Sequence, residues 1–442
     1  MTDTIAAIAT AAGAGGVGII RISGPDARAV AAAFFSKPLR QRYAHFAKFC
    51  DADGVEIDHG LLLYFQAPNS FTGEDVVELQ VHGSPVALAM LLRRCFQLGA
   101  RHARAGEFTE RAFLNHKLDL AQAEAVADLI AAQSEAAAMA AVRSLEGEFS
   151  KRVESVLAEL TDLRTYVEAL IDFPDEDISF SRDRQIIARG LQLNILLENL
   201  LTQAKRGQRL RDGLYVVIIG PPNAGKSSLL NALAQSDRAI VTAIAGTTRD
   251  VLREQIILNG IPVTLVDTAG LRDSPDTIEA EGIRRAKAEM ARADLAIVLL
   301  GADQAEFNFA DVQANLPASL KRVCVLNKAD LLQANDRYDT LLISTFTRNG
   351  LSELCSKILT MTGSDVANDG VTGAFSARAR HVQALEMVHQ HLGNAQNWLS
   401  AEHGELAAEE LRLAQICLSD ITGVFSADDL LGKIFSSFCI GK

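Results

Sequence analysis

The spacing of apolar residues divides the chain into four stretches. Residues 1 to about 117 mix two periods. Ile19-Ile20-Arg21-Ile22, Leu61-Leu62-Leu63-Tyr64-Phe65 and Val76-Val77-Glu78-Leu79-Gln80-Val81 are short β-branched or aromatic runs that predict strands. Ser84-Pro85 predicts a helix start, with Pro85 at the first helical position and an end near Leu98-Gly99. From about 118 to 207 the chain is rich in Ala and Leu. Val153, Leu157, Leu160, Leu163, Val167, Leu170 and Ile171 recur every three or four residues, as on one face of a helix, until Asp172-Phe173-Pro174 interrupts them. Residues 208 to about 370 alternate strand and helix patterns, which predicts an α/β nucleotide-binding domain. Helical spacing returns from about 371, and Leu430, Leu431, Ile434, Phe435 and Phe438 form one apolar stripe. The Ala-rich run at 131–142 is helix composition and not a repeat.

Composition narrows the class. A chain of 442 residues that is 48% hydrophobic supports about three domains with sizeable cores. No run of eighteen or more apolar residues predicts a membrane span, and Met1-Thr2-Asp3-Thr4 lacks the basic start of a secretory signal. The six cysteines have no C-x-x-C spacing, which fits a reducing cytoplasm and neither zinc nor a disulfide framework. A net charge of −12 argues against a broad RNA-binding surface. Any RNA contact has to be local, small or shared with a basic partner.

One segment carries specific chemistry. Gly220-Pro221-Pro222-Asn223-Ala224-Gly225-Lys226-Ser227 fills every fixed position of G-x-x-x-x-G-K-[ST]. It follows the apolar run Leu214-Tyr215-Val216-Val217-Ile218-Ile219 and precedes the helix-forming Ser228-Leu229-Leu230-Asn231-Ala232-Leu233. Glycines let backbone N–H groups approach phosphate oxygens, and a helix N-terminus favours anionic charge. Lys226 is placed to reach β- and γ-phosphates and Ser227 to ligate Mg²⁺. Leu265-Val266-Asp267-Thr268-Ala269-Gly270 ends a second apolar strand. There Asp267 can hold Mg²⁺ through water, and the Gly270 amide can sense a γ-phosphate.

Asn327-Lys328-Ala329-Asp330, after the strand Val323-Cys324-Val325-Leu326, resembles the guanine-specificity motif N-K-x-D of GTPases. A carboxylate such as Asp330 accepts from guanine N1–H and the 2-amino group. Adenine lacks that amino group and would leave a buried carboxylate unpaired. Of Ser344-Thr345-Phe346, only Ser344 matches the corresponding S-A-K loop. Thr242-Ala243-Ile244-Ala245-Gly246-Thr247-Thr248-Arg249-Asp250 resembles the first switch loop of the TrmE–Era-like GTPases, in which Thr248 would close on Mg²⁺ and the γ-phosphate. Leu271 stands directly after Asp-Thr-Ala-Gly, where a Ras-like site has the glutamine that orients water. Hydrolysis therefore needs help from an arginine finger or a cation beside the phosphates.

The resemblance to the MnmE (TrmE) family of tRNA-modification GTPases runs essentially end to end. It is carried by Arg21-Ile22-Ser23-Gly24, by Pro68-Asn69-Ser70-Phe71-Thr72-Gly73-Glu74-Asp75, and by the run from Gly106 to Asn115. Lys117 to Ala125, Asp172 to Glu176, and the terminal Cys439-Ile440-Gly441-Lys442 also match. Ala14, in place of a frequent Arg, and Pro221, at a variable position of the phosphate loop, are small departures.

The resemblance implies a layout. An α+β tetrahydrofolate-binding and dimerisation domain (1–117) would precede a helical domain (118–207 and 371–442) into which the α/β P-loop GTPase domain (208–370) is inserted. It implies that Arg21, Glu78, Lys117 and Lys442 contact a 5-formyl- or methylene-tetrahydrofolate derivative. Without it, Glu78 reads as a solvated strand residue and Lys117 as an ordinary helix-start lysine. It implies that Glu279 positions or activates the attacking water. A K⁺ ion would be held by Asn223 and the loop positions Thr242, Ile244 and Thr247, offsetting charge as an arginine finger does. Arg249 and Arg272 are possible fingers and equally suit surface ion pairs. Cys439 is a candidate thiol for the modification chemistry, or a small hydrophobe finishing the stripe through Phe438. His381, His389, His391 and His403 read as helix surface.

The function so implied is that of a cytoplasmic, homodimeric, K⁺-dependent GTPase. With the FAD-containing partner MnmG it would modify the 5-position of the wobble uridine of certain tRNAs. Two rivals are a ribosome-assembly GTPase like Era and a scaffold that binds GTP without cleaving it. The first should carry a KH-type G-x-x-G loop or a basic extension, and neither is seen. The second has no need of Lys226 or Thr248.

Overall fold

The computed structural model describes residues 3–172, 179–235, 253–267, 287–304, 308–314, 316–332, 340–363, 373–423, 431, 434–436 and 438–441. The chain divides into two compact units. One comprises Met1–Ala127, Ser144–Leu193 and Met387–Lys442, the other Asp128–Arg143 and Asn194–Glu386.

The first unit begins with β1 (Ile5–Ile8), β2 (Gly15–Ser23), α1 (Ala27–Ala32), β3 (His45–Cys50), β4 (Glu56–Phe65), β5 (Val76–Gly83), α2 (Pro85–Gln97), β6 (Arg101–His102) and α3 (Glu107–Leu114). Its sheet has the order β3-β4-β5-β2-β1-β6, antiparallel except for the β1/β6 pair. Alternation sorts the side chains. Ile20, Ile22, Leu62, Tyr64, Val77 and Leu79 face a core shared with α1 and α2, while Arg21 and Glu78 lie on the other face. The predicted start of α2 holds: Ser84 Oγ accepts from Ala87 N at 3.4 Å, with Pro85 at the first helical position.

Further helices are α4 (Leu120–Ala131), α5 (Glu135–Leu145), α6 (Glu148–Asp172) and α7 (Arg184–Asp212). The predicted stripe of α6 is real and narrower than its sequence suggests. Phe149, Val153, Val156, Leu160, Leu163 and Val167 are buried, alternating four and three residues apart, whereas Leu157, Leu170 and Ile171 are half-buried. That spacing gives a single seam down the helix. α6 is described to Asp172, and Phe173 and Pro174, expected to interrupt it, lie outside the described residues.

The second unit holds β7 (Leu214–Ile219), α8 (Lys226–Ala234), β8 (Arg253–Leu258), β9 (Ile261–Asp267), β10 (Leu295–Gly301), α9 (Phe309–Gln313), β11 (Lys321–Asn327), β12 (Leu341–Leu342) and α10 (Leu351–Met361). Its sheet has the order β12-β11-β10-β7-β9-β8 and is parallel apart from β8/β9. Every residue of β10 is buried, as a strand covered on both faces requires. The chain then continues through α11 (Ala379–Ser400) and α12 (Gly404–Thr422). Within the first unit α12 packs on α6 through Ala407, Leu411, Ala414 and Leu418. Leu431, Ile434, Phe435 and Phe438 of the predicted terminal stripe gather with Phe113, Leu120 and Ala123. Leu430 lies outside the described residues.

One surface assignment needs correction. His381 is 2% exposed, and its Nδ1 accepts from Arg378 N at 3.1 Å. It caps its own helical turn, a role that spacing alone does not reveal. His391 is half-buried and meets Glu410 at 2.6 Å. His389 and His403 are exposed as expected. Among the described residues no helix is long and apolar enough to cross a membrane.

Candidate functional site

The carboxyl ends of β7, β9, β10 and β11 meet at one edge of the second unit's sheet, the usual position for a ligand in a doubly wound fold. β7 runs into the loop 220–225, and α8 begins at Lys226 with Gly225 as its N-cap. Two glycines are there for distinct reasons. A Cβ on Gly225, at φ 93°, would come within 2.3 Å of Asn327 Nδ2, and one on Gly220 within 2.1 Å of the Leu299 carbonyl. The loop therefore lies closer to its neighbouring strands than any side chain permits.

Lys226 is 5% exposed, and its ammonium donates to the carbonyls of Gly220 at 3.0 Å and Pro221 at 2.7 Å. The charge is thus held over the loop. Register places Ile218 opposite Asp267, so the buried Asp267 carboxylate arrives beside α8 and accepts from Ser227 Oγ at 2.9 Å. A hydroxyl and a carboxylate in contact are the hard oxygen donors that suit Mg²⁺.

β11 supplies the third part. Asn327 is fully buried. Its Nδ2 donates to the Ala224 carbonyl at 3.0 Å, and its Oδ1 accepts from Thr345 N at 3.2 Å. It therefore ties the phosphate loop to the loop after β12. Ser344 Oγ donates to Asp330 Oδ1 at 2.5 Å and accepts from Thr347 N at 3.1 Å. One Asp330 oxygen is thereby fixed. Asp330 itself is exposed and not buried as expected, because it lies in a 3-10 turn beyond the strand end. Lys328 pairs with Asp303 at 2.6 Å. Thr242 to Arg249, Thr268, Ala269, Gly270, Arg272 and Glu279 lie outside the described residues.

The first unit has its own polar site. Arg21 and Glu78 are register partners on β2 and β5, and Arg21 Nη2 meets Glu78 Oε1 at 2.9 Å. The guanidinium lies 5.8 Å from the ring centres of both Phe71 and Phe108. Both charges stay partly exposed. Lys117 Nζ donates to the Pro68 carbonyl at 3.1 Å, at the other end of the Pro68–Phe71 loop. Gly106 N donates to the Cys439 carbonyl at 3.3 Å, and Ile440 bridges Ala105, so Cys439 and Ile440 are anchored to the same unit. Cys439 is exposed, unlike the buried Phe438 before it. Lys442 lies outside the described residues.

Beneath this site runs an ionic network that sequence reading did not single out. Arg111 is fully buried and contacts Asp3, Glu74 and Glu107 at 2.9, 3.0 and 3.2 Å. Glu74 also accepts from Ser23 Oγ at 2.7 Å, which fixes the end of the Pro68–Asp75 loop. Burial alone would raise the Glu107 pKa. Hydrogen bonds from Arg101, Arg104 N and Arg111 overcome it and hold the carboxyl at about 2. Only the position of Arg111 within a matched segment pointed to it, since an arginine in a helix ordinarily reads as surface.

Two comparisons bear on the whole chain. The family model of the GTP-binding protein TrmE N-terminus matches residues 4–117, and that of the MnmE helical domain matches residues 120–439. The chain is 55% identical over 444 residues to the tRNA modification GTPase MnmE of Xanthomonas campestris pv. campestris (strain 8004), covering 100% of this chain and 99% of the relative. It is 56% identical over 443 residues to the protein of the same name from Xanthomonas oryzae pv. oryzae (strain MAFF 311018), covering 100% and 99%. For that of Xylella fastidiosa (strain Temecula1 / ATCC 700964) the figures are 52% over 449 residues, covering 100% and 98%.

Proposed function

The chain belongs to the MnmE (TrmE) family of tRNA-modification GTPases and is a GTP-hydrolysing enzyme of tRNA modification, and from that premise we propose a K⁺-dependent mechanism coupled to folate-supplied carbon. The observation that carries the nucleotide reading is the convergence of Lys226, Ser227 with Asp267, and Asn327 with Asp330 and Ser344 on one sheet edge.

GTP enters with its phosphates along the 220–228 loop. Asn223, Ala224, Gly225, Ser227 and Ser228 offer backbone N–H groups, and Lys226 exchanges its carbonyl partners for β- and γ-oxygens. Asp330 accepts from the guanine N1–H and 2-amino groups with the oxygen Ser344 leaves available. Ser227, Thr248 and (through water) Asp267 would hold Mg²⁺, which would neutralise charge on the phosphates. Asn223, Thr242, Ile244 and Thr247 would hold K⁺, which would supply positive charge beside the phosphates where Leu271 stands in place of a water-orienting glutamine. Glu279 orients the water whose oxygen bonds to Pγ as the bond to the β,γ-bridging oxygen breaks, giving GDP and phosphate.

In the first unit we assign Arg21, Glu78, Lys117 and Lys442 to a tetrahydrofolate derivative. The fit is chemical. Glu78 can accept from a pterin edge, the exposed Phe71 offers a ring face, and Lys117 suits a glutamate tail. Cys439 is exposed on the same unit, which keeps it a candidate thiol.

The remaining assignments follow the family. The chain acts as a cytoplasmic homodimer with an FAD-containing MnmG partner on the wobble uridine of certain tRNAs. Residues 1–117, 118–207 with 371–442, and 208–370 are the folate, helical and GTPase domains. GTP turnover in K⁺ against Na⁺ tests the cation, since equal rates exclude it. The wobble-nucleoside profile of tRNA from cells lacking the protein tests the task, and an unchanged profile removes it.

A further inference from the structure

We propose that Gln304, which belongs to none of the nucleotide-binding motifs, is a positioning residue that locks the phosphate loop in its ligand-ready shape. The inference rests on the GTPase reading above and concerns how that site is held.

Asn223 stands in the left-handed region at φ 63°, a conformation Asn adopts more readily than most residues and one that sets the direction of the carbonyls around it. The carbonyls on either side of it are both captured by side-chain amides. Asn327 Nδ2 takes the Ala224 carbonyl at 3.0 Å, and Gln304 Nε2 takes the Pro222 carbonyl at 2.7 Å. The first belongs to the guanine motif; the second comes from the turn after β10. Pro221 and Pro222 have no N–H, so this stretch of loop has few other ways to be fixed.

The orientation of the Gln304 amide is determined by its partners. Its Oε1 accepts from Gly301 N at 3.2 Å, and a backbone N–H can only donate. Its NH₂ therefore faces Pro222, whose carbonyl can only accept. The turn itself is rigid: Gln304 N donates to the Gly301 carbonyl at 3.0 Å and Ala302 N to the Asn327 carbonyl at 2.9 Å. Gly301 is also the register partner of Asn327. Both amides thus stand on one corner of the β10/β11 pair, and together they hold Asn223 in place. In the mechanism above Asn223 is a K⁺ ligand beside the phosphates.

The test compares Gln304→Ala and Gln304→Glu with the wild-type chain. The readouts are the dissociation constant of a fluorescent GTP analogue in Mg²⁺ and K⁺, and the urea midpoint. Loss of one neutral hydrogen bond is expected to weaken nucleotide binding about fivefold in Gln304→Ala. Gln304→Glu is expected to be weaker still. It keeps the size but turns a carboxylate oxygen towards the Pro222 carbonyl and adds negative charge near the phosphates. Filling space alone predicts the reverse order, with Glu better than Ala, and that order overturns the proposal. So does wild-type affinity in both variants, or a lower urea midpoint with unchanged affinity. Failure of the wild-type chain to bind the analogue would instead remove the GTPase reading.

Discussion

Acid sensitivity of the first unit follows from one carboxylate. Glu107 is 1% exposed and holds its pKa at about 2, against an ordinary 4.5, because hydrogen bonds from Arg101, Arg104 N and Arg111 outweigh its burial. A carboxyl depressed in the folded state stabilises that state at pH values above its unfolded pKa. The contribution is lost as pH falls through the folded pKa. That depression is worth about 3 kcal/mol at neutral pH, at about 1.4 kcal/mol for each tenfold change in proton affinity. About 2 kcal/mol of that is gone by pH 3. Glu107→Gln removes the titration while keeping the shape. The variant should be less stable than wild type by on the order of 3 kcal/mol at pH 7, and the gap should shrink by pH 3. The single tryptophan, Trp398, lies in the first unit, so its fluorescence in urea follows that unit directly. A gap below about 1 kcal/mol at pH 7, or one unchanged at pH 3, refutes the reasoning.

Two further outcomes are expected. Arg21→Leu should weaken binding of a tetrahydrofolate derivative by roughly tenfold or more, the worth of one charge-assisted contact, while leaving GTP binding unaltered. Calorimetry with 5-formyl-tetrahydrofolate reads it, and unchanged affinity would move the folate elsewhere. Glu279→Ala should nearly abolish phosphate release while keeping the affinity for a GTP analogue; a normal rate strips Glu279 of its role.

The phosphate loop was legible in the sequence because its chemistry is local. Eight consecutive residues fix the backbone path, and the flanking strand and helix are set by their own periodicity. Asn327 and Asp330 were legible as types and less so as geometry. Their motif does not say that Asn327 is buried against Ala224, or that Asp330 stays exposed. Arg21 and Glu78 needed the sheet, since 57 residues separate them and only the β2/β5 register makes them partners. The roles of Arg111 and Gln304 were not legible for the same reason. Arg111 reaches Asp3 and Glu74, and Gln304 reaches Pro222, all far away in the chain, and neither a buried arginine nor a bracing glutamine leaves a periodic trace.

The central claim is that this sheet edge selects and cleaves a guanine triphosphate, and base discrimination tests it most directly. Phosphate release should be measured with GTP, ATP and XTP, in Mg²⁺ and K⁺, for the wild-type chain and Asp330→Asn. The account predicts turnover of GTP and not ATP by the wild type. The variant should lose GTP and gain XTP, because its amide can donate to the xanthine 2-oxo group where the carboxylate could only accept. Comparable turnover of ATP and GTP by the wild-type chain, or a variant that still prefers GTP, would contradict it.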